Sequence, residues 1–258
     1  MSKVWFITGS TRGLGRALVE TALLAGHRVA ATARNPDGLQ DLVRAYGENI
    51  RPISLDVTDE AAAGRAIDHA VQTFGRIDVV VNNAGYGNIG SVEDTSLSDF
   101  RQQIETNLFG TLSAMQAVLP LMKQQGGGTI INISSVAGHI PLAYSAGYSG
   151  TKFAMNAMGK AARIELRTRG INVLTVCPGY VRTDFSANAV RGKEQKKVRP
   201  EAVRGITAKR VARATLAGYL QRKREVIVPW TMIPMVKLYQ LFPGIVERAM
   251  LRMARTAD

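Results

Sequence analysis

The chain has 258 residues, of which 46% are hydrophobic and 21% charged, a balance that excludes a disordered or fibrous protein and points to one folded α/β core. The formal charge of +13 is unevenly placed: +2 over 1–185, +9 over 186–226 and +2 over 227–258. Tyr219 is the sole aromatic residue of that basic stretch, so it lacks the interleaved aromatics of a nucleic-acid-binding element, and no nucleic-acid partner is expected.

Short β-branched runs alternate with longer helix-like segments, the pattern of a parallel sheet covered on both faces. Strands are expected near 3–8, 28–33, 50–55, 77–82, 129–134, 172–177 and 225–229. Runs such as Val79-Val80-Val81 and Thr129-Ile130-Ile131-Asn132-Ile133 are apolar on both faces, which suits central parallel strands. Helices are expected near 13–26, 37–47, 59–74, 96–124, 148–169, 207–222 and 237–254. Asp59 and Ser96 offer N-caps, and Gly26, Gly75 and Gly170 stand where left-handed C-terminal residues are wanted. The expectation is a doubly wound, seven-stranded Rossmann sheet in a single domain over 1–258.

A single cysteine, Cys177, excludes an internal disulfide, and with His27, His69 and His139 as the only histidines no clustered Cys/His metal site can be drawn, so no metal is expected. The apolar run of the first nine residues is too short for a signal peptide, which makes the cytoplasm the expected location.

After the first strand, Thr8-Gly9-Ser10-Thr11-Arg12-Gly13-Leu14-Gly15 opens a helix. Glycines there permit a tight turn on which a pyrophosphate can rest against unpaired helix N–H groups. At the end of the second strand Ala33-Arg34 replaces the acid that usually receives the ribose hydroxyls of NAD. With Arg12 it offers two cations to a 2′-phosphate, so NADP(H) is the expected cofactor.

Tyr148 and Lys152 are four residues apart on one helical face, where a nearby cation favours the phenolate and suits the tyrosine to general acid–base work. Tyr219 and Lys223 repeat the spacing. Only the first pair is preceded by a serine at the C-terminal end of a strand, Ser135, at the sheet edge where such folds bind ligands.

Thr8 to Gly15, Asn82-Asn83-Ala84-Gly85, Asn107, Ser135, Tyr148, Lys152 and Pro178-Gly179-Tyr180-Val181-Arg182-Thr183 together resemble the short-chain dehydrogenase/reductase family over about residues 3–185. The resemblance implies a carbonyl reductase or alcohol dehydrogenase in which Tyr148 passes a proton to the carbonyl oxygen and Ser135 holds that oxygen. It further implies that Lys152 lowers the Tyr148 pKa and binds the nicotinamide ribose, and that Asn107 holds a water leading from Lys152 to solvent. The resemblance also assigns the glycine turn, Asp56 and Val57 at the adenine edge, and Asn83, Ala84 and Gly85 along the adenosine ribose. Pro178, Gly179, Val181 and Thr183 would meet the nicotinamide. From the residues alone Asp56 reads equally as a turn cap, and Asn82 as a tie between strands. Gly150 departs from the usual alanine, at a small helix cost.

Beyond Thr183 a substrate loop is expected over 184–206, carrying Arg191, Lys193, Lys196, Lys197 and Arg199. Its charge reads as solvated surface, or as attraction for an anionic substrate or NADPH, an acidic carrier protein or anionic lipid. The segment 226–246 carries Lys237 as its one charge, but Pro229, Pro234 and Pro243 divide it. It reads as the last strand followed by an apolar cover for a lipophilic pocket, an intersubunit face or a peripheral membrane contact. The expected function is interconversion of a hydrophobic ketone or aldehyde with its alcohol by a homodimer or homotetramer. The alternatives are a reductase of 3-oxoacyl chains on an acidic carrier protein and a non-catalytic NADP(H) sensor or polyanion-binding protein on the same fold.

Overall fold

The computed structural model describes residues 1–185, 189–191 and 205–255. The expected basic loop positions Lys193, Lys196, Lys197 and Arg199 lie outside the described residues.

Seven parallel strands form the sheet: β1 Val4–Thr8, β2 Arg28–Ala33, β3 Ile50–Ser54, β4 Val79–Asn82, β5 Gly128–Ile133, β6 Ile171–Pro178 and β7 Glu225–Val228, in the spatial order β7-β6-β5-β4-β1-β2-β3. Alternate residues serve opposite faces. Trp5, Ile7, Val79, Val81, Ile131 and Ile133 pack with Leu18, Leu39, Leu42 and Val211 on one side. Phe6, Val80 and Ile130 pack with Ala66, Ile67, Met115, Val118 and Ala162 on the other. Both faces are covered, which is why the strands read as unbroken apolar runs. The fold is the α/β, single-domain Rossmann arrangement that the sequence led us to expect.

The helices are α1 Gly13–Leu24, α2 Gln40–Tyr46, α3 Glu60–Phe74, α4 Leu97–Ile104, α5 Gly110–Gln124, α6 Ala146–Leu166, α7 Ala208–Leu220, α8 Ile233–Leu241 and α9 Pro243–Arg255. Asp59 and Ser96 cap α3 and α4 by accepting from the Ala62 and Asp99 amides at 3.0 and 3.1 Å. Gly75 ends α3 in the left-handed conformation (φ 79°).

Two expected helices differ from the sequence reading. The segment read as one helix over 96–124 contains a π-helical turn, Glu105–Phe109, between α4 and α5. The extra residue of such a turn shifts the side chains it carries, and π turns favour functional sites; this one carries Asn107. The segment read as helical over 237–254 breaks at Pro243, which cannot donate a helical hydrogen bond and forces Phe242 out of the helical region (φ −138°, ψ 63°). Two short ribbons were unforeseen: Asn88–Ile89 beside Val190–Arg191, and Val181–Arg182 beside Ile206–Thr207. Among the described residues no helix is long and apolar enough to cross a membrane.

Because β1 leads outward to β2 and β3 while β4 to β7 build in the other direction, the strand order reverses between β1 and β4. Open sheets of this kind bind ligands at the carboxyl ends of the strands beside such a reversal. Thr8 and Asn82 end the two strands there.

Candidate active site

The turn after β1 is built around absent side chains. Gly9 and Gly13 have φ of 67° and 56°, where a side chain is strained. A Cβ on Gly15 would stand 1.9 Å from the Gly9 carbonyl oxygen. Asn83 fixes the turn to the next strand, its amide donating to the Thr8 and Gly9 carbonyls at 2.9 and 3.1 Å. The Thr8 hydroxyl accepts from the Asn83 and Ala84 amides, both at 3.0 Å. Arg12 takes the N-cap position of α1 without a capping bond from its side chain. This leaves a glycine cradle at a helix N-terminus, which fits a pyrophosphate.

Within the expected cofactor set, roles divide. Arg12 and Arg34 are exposed, and among the described residues neither forms a salt bridge. Ser10 is buried, its hydroxyl donating to the Ile7 carbonyl at 2.8 Å, so that side chain is committed to the turn. Thr11 packs toward Gly38, half-buried Leu14 packs against the core, and Val57 presses on Gly110. Asp56 accepts from the Thr58 amide and hydroxyl at 3.0 and 2.8 Å, the turn-capping role weighed for it above. Asn82 donates to Asn132 at 2.9 Å and ties β4 to β5, as expected.

On the opposite wall, Gly179 has no room for a Cβ beside the Met232 sulfur, 2.7 Å away, and its amide donates to the Val228 carbonyl at 2.7 Å. Thr183 reaches across to the glycine turn, its Cβ 3.5 Å from where a Cβ on Gly13 would stand. The segment from Pro178 through Val181 to Thr183 therefore faces the phosphate turn across the crevice.

Ser135, Tyr148 and Lys152 converge at the end of β5. Ser135 caps the short 3-10 turn Val136–Gly138 by accepting from the Ala137 amide at 3.0 Å and donates to the Pro178 carbonyl at 3.4 Å. Its hydroxyl also lies against the Tyr148 phenol, where it favours the ionised form. Lys152 is buried, donates to the Ile133 carbonyl at 2.9 Å and lies 5.7 Å from the Tyr148 ring centre. Burial pushes the Lys152 ammonium down to about 8 and the Tyr148 phenol up to about 12, against the pull of Ser135. The ammonium is engaged by Ile133, and loss of solvent around the ring outweighs the help the phenol receives.

Asn107 sits fully buried in the π turn. Its amide donates to the Tyr86 carbonyl at 3.0 Å and the Thr151 hydroxyl at 3.2 Å, and its oxygen accepts from the Tyr86 amide at 3.0 Å. The side chain therefore clamps the loop after Gly85 to the helix carrying Tyr148 and Lys152, a positioning role absent from the sequence reading.

Two further features escaped that reading. The Phe185 ring stands edge-on to Tyr148, with centres 5.7 Å apart. His139, Cys177 and Glu225, far apart in sequence, come together below the Ser135 turn; no spacing pattern announces them. The second Tyr-Lys pair is structural at its tyrosine end: Tyr219 packs edge-on to buried Trp5 at 5.1 Å, away from Ser135 and Lys152.

A glycine cradle at the sheet's reversal point and a serine, tyrosine and lysine at the next strand end define an oxidoreductase site of the dinucleotide-dependent kind. The family model for short chain dehydrogenases matches residues 3–194, and the chain belongs to the short-chain dehydrogenase/reductase family. It is an oxidoreductase acting on CH–OH or C=O groups with NAD(P)(H). Oxidoreductase BOA17 of Botryotinia fuckeliana is 42% identical over 192 residues, covering 74% of this chain and 70% of that protein. Dehydrogenase/reductase SDR family member 7B of Bos taurus is 32% identical over 261 residues, covering 96% and 80%. Among solved structures, a short-chain dehydrogenase from Streptomyces avermitilis superimposes with a TM-score of 0.85 at 29% identity over 100% of both chains. A short chain dehydrogenase from Burkholderia cenocepacia in complex with NADP gives 0.83 at 28% identity, over 97% and 98%.

Proposed function

We propose that the protein is an NADP(H)-preferring carbonyl reductase or alcohol dehydrogenase acting on a hydrophobic substrate. The observation that carries this reading is the buried Lys152 and the protonated Tyr148 beside Ser135, a group able to give a proton to a carbonyl oxygen at neutral pH. When bound, the nicotinamide supplies the hydride. Ser135 orients the carbonyl oxygen toward the phenol, Tyr148 delivers the proton, and Lys152 stabilises the phenolate left behind. The glycine cradle suits the pyrophosphate, and Arg12 and Arg34 favour a cofactor carrying an additional phosphate. Phe185, set against Tyr148 at the mouth of the site, favours an apolar substrate. The experiment is a panel of ketones and aldehydes with NADPH or NADH, followed by cofactor absorbance. Turnover with NADPH in preference to NADH supports the reading, and no consumption of either cofactor overturns it. Carrier-bound 3-oxoacyl substrate in the same panel tests the carrier-protein alternative.

The reading includes a cytoplasmic homodimer or homotetramer built on α4 to α6, where Leu97, Phe109, Phe153 and Ile164 are exposed apolar side chains. The apolar exterior of α8 and α9 is available for peripheral contact with anionic lipid. Light scattering after size exclusion tests the assembly, and flotation with anionic liposomes tests the contact.

A further inference from the structure

Three side chains without a part in the proton transfer meet at one point in the protein interior. His139 leaves the 3-10 turn that follows Ser135, Cys177 lies near the end of β6, and Glu225 begins the neighbouring β7. The Cys177 sulfur is 3.5 Å from His139 Nε2, and the same nitrogen is 3.2 Å from Glu225 Oε1. All three donor atoms lie within 4.8 Å of one another. His139 and Cys177 are buried, while the Glu225 side chain is 27% exposed and forms the one side open to solvent. Glu225 Oε1 is itself buried and, among the described residues, faces the His139 nitrogen, whose hydrogen bond holds the carboxylate below its ordinary range.

A tetrahedral zinc ion bonds sulfur at about 2.3 Å and nitrogen or oxygen at about 2.0–2.1 Å, which sets its ligand atoms about 3.6 Å apart for a sulfur–nitrogen edge and about 3.3 Å apart for a nitrogen–oxygen edge. The sulfur–nitrogen and nitrogen–oxygen edges match those spacings, and the sulfur–oxygen edge lies within 4.8 Å, where about 3.6 Å is wanted. We propose that His139, Cys177 and Glu225 form a three-ligand site for zinc or a divalent ion of similar softness. The donor set of one sulfur, one imidazole and one carboxylate excludes the oxygen-seeking magnesium and calcium ions.

The charges balance. Binding breaks the Cys177 S–H bond and forms a metal–sulfur bond, releasing one proton to solvent. His139 binds through neutral Nε2, and thiolate and carboxylate together neutralise a 2+ ion. The Cys177 thiol leans on Asn156 Oδ1 at 3.8 Å, and the Asn156 amide donates to the Gly138 carbonyl at 2.8 Å, so the pocket wall is held in place before any ion arrives. Lys160 and Lys152 act on Cys177, and Lys160 and Arg224 act on Glu225, as the cations facing the cluster. They oppose an incoming ion and only partly offset the burial and the Glu225 carboxylate that hold the Cys177 thiol in its protonated form, so the metal itself must displace that proton. A water or the second Glu225 oxygen completes the fourth position.

Cobalt(II) is the probe, because a sulfur-to-cobalt charge-transfer band can arise only from Cys177, the single cysteine of the chain. The full-length protein, stripped with a chelator, is expected to take up one equivalent of cobalt with that band and the visible bands of a tetrahedral ion, both abolished by zinc. Cys177→Ser is expected to lose the charge-transfer band, and Glu225→Gln, at the open side of the site, to weaken uptake at least tenfold. Circular dichroism establishes that each variant is folded; if Cys177→Ser is not, Glu225→Gln decides. Absence of the band in the folded wild type, or uptake unchanged in folded Glu225→Gln, overturns the proposal. The readout is metal content and colour, independent of enzyme activity.

Discussion

The Lys152 ammonium lies 5.7 Å from the centre of the Tyr148 ring and is hydrogen-bonded to the Ile133 carbonyl, not to the phenol. The two groups share one face of α6 yet titrate apart, lysine downward to about 8 and tyrosine upward to about 12. Removing the phenolic hydroxyl removes the proton donor and little else. Tyr148→Phe is expected to cut turnover by about 10²–10⁴-fold or more while NADPH affinity, read by fluorescence titration, stays near wild type. Retained turnover would refute the acid role.

The same shifts fix the sign of a pH effect on stability. Between about pH 8 and 10.5 the unfolded chain carries a proton on Lys152 that the folded chain has lost, so stability rises with pH across that window. Tyr148 leaves stability unaffected below pH 10 and lowers it between 10 and 12. Relative to Lys152→Met, the cofactor-free wild type is therefore expected to gain about 1–3 kcal/mol from pH 7 to pH 10. Urea denaturation at the two pH values measures this; a constant difference would contradict the buried ammonium.

Arg12 and Arg34 bear on the choice of dinucleotide. Alanine at either position is expected to raise the KM for NADPH about 10–100-fold, the worth of one charge-assisted hydrogen bond, with the KM for NADH changed less than threefold. Equal losses for both cofactors would place the arginines elsewhere in recognition.

Gly150 and Gly15 make opposite predictions for the same substitution. A Cβ on Gly150 meets nothing within 4 Å, and Gly150→Ala is expected to raise stability by about 0.5–1 kcal/mol through helix propensity alone. Gly15→Ala drives a methyl group into the Gly9 carbonyl and is expected to abolish cofactor binding. Thermal melts and cofactor titration compare the two.

The sheet could be read from the sequence because burial on both faces leaves a local trace in each strand, as in Val79-Val80-Val81. The glycine turn, Ser135, Tyr148 and Lys152 are legible through their place at strand ends and through the resemblance to the family, their spacings alone being too common to mark them. What escaped depends on distant partners. The π turn at Glu105–Phe109 exists where Asn107 must meet Tyr86 and Thr151, and helix periodicity alone runs straight through it. Phe185 finds Tyr148 across 37 positions. Cys177 and Glu225 become neighbours only when β6 and β7 pair, with Glu225 opposite Thr175.

Two glycines, the Gly13 described above and Gly87 in the loop after β4, lie against side chains from elsewhere. Thr183 rests against Gly13, and a Cβ on Gly87 would stand 2.9 Å from the Phe185 ring. Positions 13 and 183, and positions 87 and 185, therefore form paired constraints on substitution. A library that varies 183 and 185 must keep 13 as glycine for its positive φ, and must keep 87 as glycine or vary it with 185, because a methyl group at 87 displaces the Phe185 ring.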